Sequence, residues 1–192
     1  MLLGDRVIDY GLAALHDECD QFWLCSQVPA SYAEAVSFKL AAKENGATAD
    51  KSSIRRSRVT WLDIGQHVQV YQVLADLIAR VNAEYFRFDL SGLGEMVQVA
   101  RYDAGDKAEY GWHQDIGAEV SRKLSVTLQL SDHESYDGGD LEIFKAASQV
   151  IKADRTRGAM TVFPSYQMHR VTPIVRGTRC SLVAWVSGPP FK

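Results

Sequence analysis

The stretch KLSVTLQL, residues 123–130, alternates without a break: Leu124, Val126, Leu128 and Leu130 take one side, and Ser125, Thr127 and Gln129 take the other. A period of two is the mark of an extended strand, because successive side chains on a pleated backbone point to opposite faces. The apolar side belongs in a core. The polar side either lines a cavity or forms an exposed sheet face. Outward from this stretch lie further short runs of β-like composition: FRFDL (86–90), EMVQVARY (95–102), DLEIF (140–144), AMTVF (159–163), RVTPIV (170–175) and RCSLVAWV (179–186). SGLG, DAGD, YDGGD and RTRG lie between them and supply turn residues. Many short strands separated by Gly/Asp turns predict a β-sandwich or barrel.

Before residue 85 the period changes. Val70, Val73, Leu74, Leu77, Ile78 and Val81 recur at helical spacing and predict a helix over 66–82. Ser31 and Glu34 have the form of a capping box, and Gly46 is a stop signal, so a second helix is expected over 31–44. The chain then reads as one domain over 1–192, with a mostly helical support region over 1–84 and a β core over 85–188.

Composition narrows the function classes. The 192 residues are 46% hydrophobic, enough for one sizeable core, and the net charge of −3 provides no basic field for nucleic acid or an anionic membrane. Asp5, Arg6, Asp9 and Asp17 interrupt the first apolar runs, so neither a signal-peptide core nor a membrane span is expected there. Cys19, Cys25 and Cys180 are odd in number and lack CxxC spacing, which suits reduced thiols in a cytoplasm.

The chemistry is concentrated in two places. In YGWHQDIG (110–117), His113 and Asp115 are two residues apart, so on a strand they share a side and Gln114 points away. In HRVTPIVRGTR (169–179), His169 is followed ten residues later by Arg179. Two histidines and one carboxylate that leave adjacent coordination positions open form the facial triad of non-haem Fe(II) oxygenases, whereas a structural zinc site closes its shell. An arginine in this company offers a planar, permanently charged fork to a carboxylate.

With YDAGD (102–106), HQD (113–115), GGDLEIF (138–144), HRVTPIVRGTR and Trp185 in this order, the sequence resembles the Fe(II)- and 2-oxoglutarate-dependent dioxygenases of the prolyl 4-hydroxylase-like branch. IRRSRVTWL (54–62) resembles a segment of oxygen-sensing-type prolyl hydroxylases, and HRVTP resembles the PKHD-type hydroxylases. The resemblance runs from about residue 53 to 187. It implies a double-stranded β-helix, or jelly roll, with N-terminal helices in support. It further implies Fe(II) on His113, Asp115 and His169, 2-oxoglutarate anchored by Arg179, and O2 as co-substrate, with ascorbate as a stimulant. Tyr102, Thr127 and Gln129 match positions that line the co-substrate pocket, and Trp185 matches a tryptophan of its wall. Because Asp115 is present, halogenation, which in related enzymes needs that carboxylate removed, is disfavoured.

The implied reaction is hydroxylation of an unactivated C–H bond, with succinate and CO2 as co-products. A prolyl or other amino-acid residue in a protein or peptide ranks first as substrate, ahead of a free amino acid or small metabolite. Candidate substrate residues are Arg55 and Arg58, with Arg56 in the same run, and the aromatics Trp61, Tyr110, Trp112 and Trp185. A reading from another class is a non-catalytic metal-holding jelly-roll module. Such cupin-like modules usually draw on three histidines and a glutamate, and His16, His67 and His133 lack ligand-like spacing.

Overall fold

The computed structural model describes residues 54–117, 120–146 and 149–191, together with the backbone of Lys39–Leu40. Its strands are β1 (Lys39–Leu40), β2 (Arg55–Arg56), β3 (Arg58–Leu62), β4 (Gly92–Leu93), β5 (Val97–Asp103), β6 (Glu109–His113) and β7 (Arg122–Gln129). They continue as β8 (Tyr136–Gly138), β9 (Leu141–Phe144), β10 (Val150–Lys152), β11 (Met160–Pro164), β12 (His169–Val171) and β13 (Ile174–Ser187). Among the described residues one α-helix, α1 (Val68–Val81), runs into a wider π turn at Asn82–Phe86.

Two antiparallel sheets face each other. The larger is ordered β1-β3-β5-β13-β7-β11, with β4 and β8 also paired to β13; the smaller is ordered β10-β9-β12-β6-β2. Residues directly opposite in a ladder share a face. The pairs Arg179–Tyr102, Ser181–Gln129, Val183–Thr127 and Trp185–Ser125 therefore put one set of side chains toward the smaller sheet. Cys180, Leu182, Ala184 and Val186 fall on the opposite face, with Leu124, Val126, Leu128, Val97 and Val99. There they are buried against Val70, Tyr71, Leu74, Leu77, Ile78 and Val81 of α1. The apolar side of KLSVTLQL is thus the floor under the helix, and its polar side is buried within the jelly roll.

Helix α1 begins after a turn closed by Asp63, whose Oδ1 accepts from the backbone N–H groups of Gly65 and Gln66. Its link to the sheet is a polar one inside an apolar contact. Tyr71 Oη donates to the Leu62 carbonyl at 2.7 Å and accepts from Val97 N–H at 2.9 Å, bridging β3 and β5.

Several local expectations change in the fold. FRFDL is not a strand: Asn82 Oδ1 accepts from Phe88 N–H and Asn82 Nδ2 donates to the Phe88 carbonyl, so one side chain takes the place of a partner strand. RVTPIV is divided between β12 and β13, because Thr172 turns aside to bond Asp140, its N–H reaching the Asp140 carbonyl and its Oγ1 accepting from Asp140 N–H. The segment 55–62, in a half read as helical, forms β2 and β3. Lys39–Leu40, within the expected helix over 31–44, is extended and pairs with Val59 and Arg58, where the edge of β3 leaves backbone groups open. The rest of that helix, with Ser31, Glu34 and Gly46, lies outside the described residues.

β13 continues from one pairing to the next through Gly177. Its φ of +73° belongs to glycine, and a Cβ there would lie 2.1 Å from the Ser135 carbonyl oxygen. Tyr71→Phe is expected to cost about 1–3 kcal/mol, since it strands a buried N–H and leaves a buried carbonyl short of a donor. Urea unfolding of both proteins measures the difference.

Candidate active site

β6 and β12 bring the two histidines together. His169 is opposite His113 and Val171 is opposite Tyr110, so three steps on β6 match two on β12. The extra residue is a β-bulge, and it re-aims side chains. Tyr110 and His113 consequently share the inner side, their rings stacked with centroids 3.5 Å apart. Asp115 lies just past the end of β6, where its N–H donates to the Ser165 carbonyl at 2.9 Å.

The ligand atoms of His113, Asp115 and His169 all lie within 4.8 Å of one another. His113 Nδ1 is 2.8 Å from the Gly111 carbonyl oxygen, and His169 Nδ1 is 2.9 Å from that of Gln167. A carbonyl only accepts, so each Nδ1 carries the hydrogen and each Nε2 keeps its lone pair in the neutral ring. Those Nε2 atoms meet Asp115 oxygens at 3.6 and 3.4 Å. Lone pairs facing a carboxylate at that separation suit a cation between them. The donor set, two imidazoles and one carboxylate, fits Fe(II).

The ligands' charge states agree. Burial works against the Asp115 anion, yet the His113 and His169 rings, the Trp185 indole and the Ser125 hydroxyl gathered around it together hold its carboxyl well below the usual carboxylate range. Ser125 Oγ donates to Asp115 Oδ2 at 2.7 Å and lies 3.0 Å from Ser165 Oγ. Burial pushes the His169 imidazole down, against the opposing pull of Asp115, and so favours the neutral ring that binds metal.

Next to the triad, the inner face holds polar atoms with nothing to bond. Arg179 is 1% exposed, and among the described residues its Nε and Nη2 have no hydrogen-bond partner; Gln129 Oε1 and Thr161 Oγ1 are buried in the same state. A buried guanidinium without a counter-ion is costly. The observation fits an anionic ligand with a carboxylate at its far end, as in 2-oxoglutarate. Gly139, of YDGGD, makes room: a Cβ there would lie 3.1 Å from Arg179 Cδ. Tyr102 is opposite Arg179 in the ladder, its ring 5.6 Å from the guanidinium carbon. Thr127 is opposite both Val183 and Thr161.

The substrate candidates separate. Arg55 is opposite Tyr110 on the inner side, 4.8 Å from its ring centroid. Trp61 and Trp185 rings lie 6.1 Å apart, and Trp61 is partly open to solvent. Arg58 is opposite Arg101 on the other face of the large sheet and pairs with Asp106 at 3.1 Å. Arg56 donates to the carbonyls of Asp106 and Lys107. Trp112 packs on Phe144 and Arg170, on the outer side of the small sheet. Gln114 turns outward to the Tyr166 carbonyl. Ser125, Ser165, Gln98 and the pair Arg122–Glu95 were not singled out in advance. Only Ser125 carried a signal, its place on the polar side of KLSVTLQL.

Ser125→Ala removes the hydrogen bond that orients the Asp115 carboxylate, and it is expected to weaken metal binding about tenfold or more. Titration of the metal-free protein with Co(II), a redox-stable stand-in, measures the change. Unaltered affinity would remove Ser125 from the site.

The comparisons with known proteins agree with this geometry. Residues 97–187 match the model of the 2OG-Fe(II) oxygenase superfamily. A PKHD-type hydroxylase of Hyphomonas neptunium is 42% identical over 92 residues, 43% of this chain and 39% of the relative. One of Shewanella frigidimarina is 32% identical over 131 residues, 63% of this chain and 57% of the relative. The aligned segment thus spans less than two thirds of these curated relatives. Among solved structures, a prolyl-4-hydroxylase of Pseudomonas putida aligns with TM-score 0.64 at 24% identity, over 94% of this chain and 87% of that one. A prolyl hydroxylase of Trichoplax adhaerens, in complex with a hypoxia inducible factor oxygen degradation domain peptide fragment, aligns with TM-score 0.66 at 17% identity, over 88% and 77%. These likenesses establish the fold as the double-stranded β-helix. Together with the family match and the curated relatives, they support a 2OG-Fe(II) oxygenase of the prolyl 4-hydroxylase-like branch.

Proposed function

We propose that the protein is an Fe(II)- and 2-oxoglutarate-dependent hydroxylase that oxidises an unactivated C–H bond of a prolyl or other amino-acid residue in a protein or peptide. One observation carries the reaction class: a buried Arg179 without a counter-ion among the described residues, together with three converging side chains that could hold a metal. A jelly roll that only stores metal has no use for that guanidinium. The peptide substrate is supported by the peptide held in the Trichoplax neighbour.

In this reading His113 and His169 would hold the metal through Nε2 and Asp115 through its carboxylate. When bound, Fe(II) and 2-oxoglutarate supply the activation of O2, with succinate and CO2 as co-products. Arg179 takes the far carboxylate of the co-substrate in a forked, charge-assisted contact, with Thr161 and Gln129 offering polar atoms nearby. Tyr102, Thr127 and Trp185 wall the pocket. The buried face keeps bulk water from the metal-binding edge and orients the co-substrate before substrate arrives.

Anaerobic addition of Fe(II) and 2-oxoglutarate together is expected to produce a broad visible absorption, and its absence in the wild-type protein would reject the proposal. His113→Ala or Asp115→Ala should abolish both the band and succinate formation. Arg179→Met should raise the apparent KM for 2-oxoglutarate by about thirtyfold or more, since it removes one partner of a buried charged contact. An unchanged KM would reject the anchoring role.

A further inference from the structure

Two cations stand at the mouth of the site, and they are in different states. Arg122 is neutralised: its Nε and Nη2 bond both oxygens of Glu95, at 2.5 and 2.6 Å, while its guanidinium lies 4.0 Å from the Trp185 ring centroid. Arg55 has no such partner. Its Nε donates to Ser57 Oγ at 2.8 Å and its Nη2 to Gln98 Oε1 at 2.7 Å, both neutral acceptors. Among the described residues no carboxylate pairs with it and Nη1 has no hydrogen-bond partner.

Position adds to this. Arg55 projects from the inner side of the small sheet, and its bond to Gln98 crosses to the inner face of the large one. The side chain is therefore fixed, and the entropy of ordering it is already spent before a ligand arrives. It lies against Tyr110, which itself stacks on the metal ligand His113, so the guanidinium stands one aromatic ring away from the triad. Trp61, Tyr110 and Trp185 provide apolar walls around the same opening. A fixed, half-buried and uncompensated guanidinium suits a planar anion.

We propose that Arg55 receives a carboxylate of the substrate, so that the hydroxylated carbon lies a few bonds from an anionic group. The inference rests on the hydroxylase reading above and refines it. Two sources share this chemistry: the α-carboxylate of a free amino acid or chain terminus, and an Asp or Glu side chain beside the target residue.

The test uses the full chain with Fe(II) and 2-oxoglutarate, and reads substrate-stimulated succinate release. The probes are free L-proline and other free amino acids, their amides, acetylated prolyl peptides with a neighbouring Asp or Glu, and the same peptides with Asn or Gln. Carboxylate-bearing probes should stimulate at least tenfold better than their amides, and the arm that responds identifies the source. Arg55→Gln should then raise KM for the responding acid by about tenfold to a hundredfold, with kcat changed much less. Arg55→Lys, which keeps the charge, should recover part of the loss. Melting temperature and the Fe(II)–2-oxoglutarate absorption band serve as controls for the fold and the metal site. If Arg55 only tethers the two sheets, Arg55→Gln lowers the melting temperature and affects acids and amides alike. That result, equal stimulation by acids and amides, or no response to any acid while the band forms, overturns the inference and leaves the hydroxylase reading standing. Failure of the band in the wild-type protein defeats the hydroxylase reading itself.

Discussion

The register of β13 between β5 and β7 is the constraint from which the rest follows. Side chains alternate along a strand, so a slip of one residue would exchange every inner side chain for an outer one. Arg179, Ser181 and Trp185 would turn under the helix, and Cys180, Leu182 and Ala184 would turn into the pocket. The apolar face opposes such a slip because α1 needs it for burial. Packing that has no chemical role therefore sets the direction of the residues that do.

That packing also lets the fold tolerate an interior which is unfavourable taken alone. A buried guanidinium and several unbonded polar atoms line the inner face, and each costs free energy while nothing binds it. The layer of Leu, Val and Ile under the helix offsets this cost, and an anion bound there would relieve it. Around His113, Asp115 and His169 the arrangement is more complete. Backbone carbonyls orient both imidazoles, and Ser125 orients the carboxylate. Arg55 and His113 are linked through Tyr110, whose ring lies between them.

Local sequence was misleading where a side chain replaced a backbone partner. FRFDL has the composition of a strand, but Asn82 bonds both backbone groups of Phe88 and the segment needs no ladder. RVTPIV has one apolar pattern but two strands, because Thr172 is held to Asp140, far away in sequence and adjacent in space. The three arginines at 55, 56 and 58 look equivalent in the chain. Strand pairing separates them: Arg55 points in, while Arg56 and Arg58 turn to the loop at 104–107.

The periods of two and 3.6, the histidine–aspartate spacing and the downstream histidine and arginine are properties of the chain itself. They were enough to indicate a β core under a helix and a His-Asp-His group whose donor atoms converge, because alternation and ligand chemistry are local. What tertiary structure alone decided is which polar groups are left without partners. Whether Arg179 lacks a counter-ion, whether Arg122 meets Glu95, and whether Arg55 meets none depend on residues brought together from distant strands. Electrostatic compensation acts through space, and a linear sequence does not record distance.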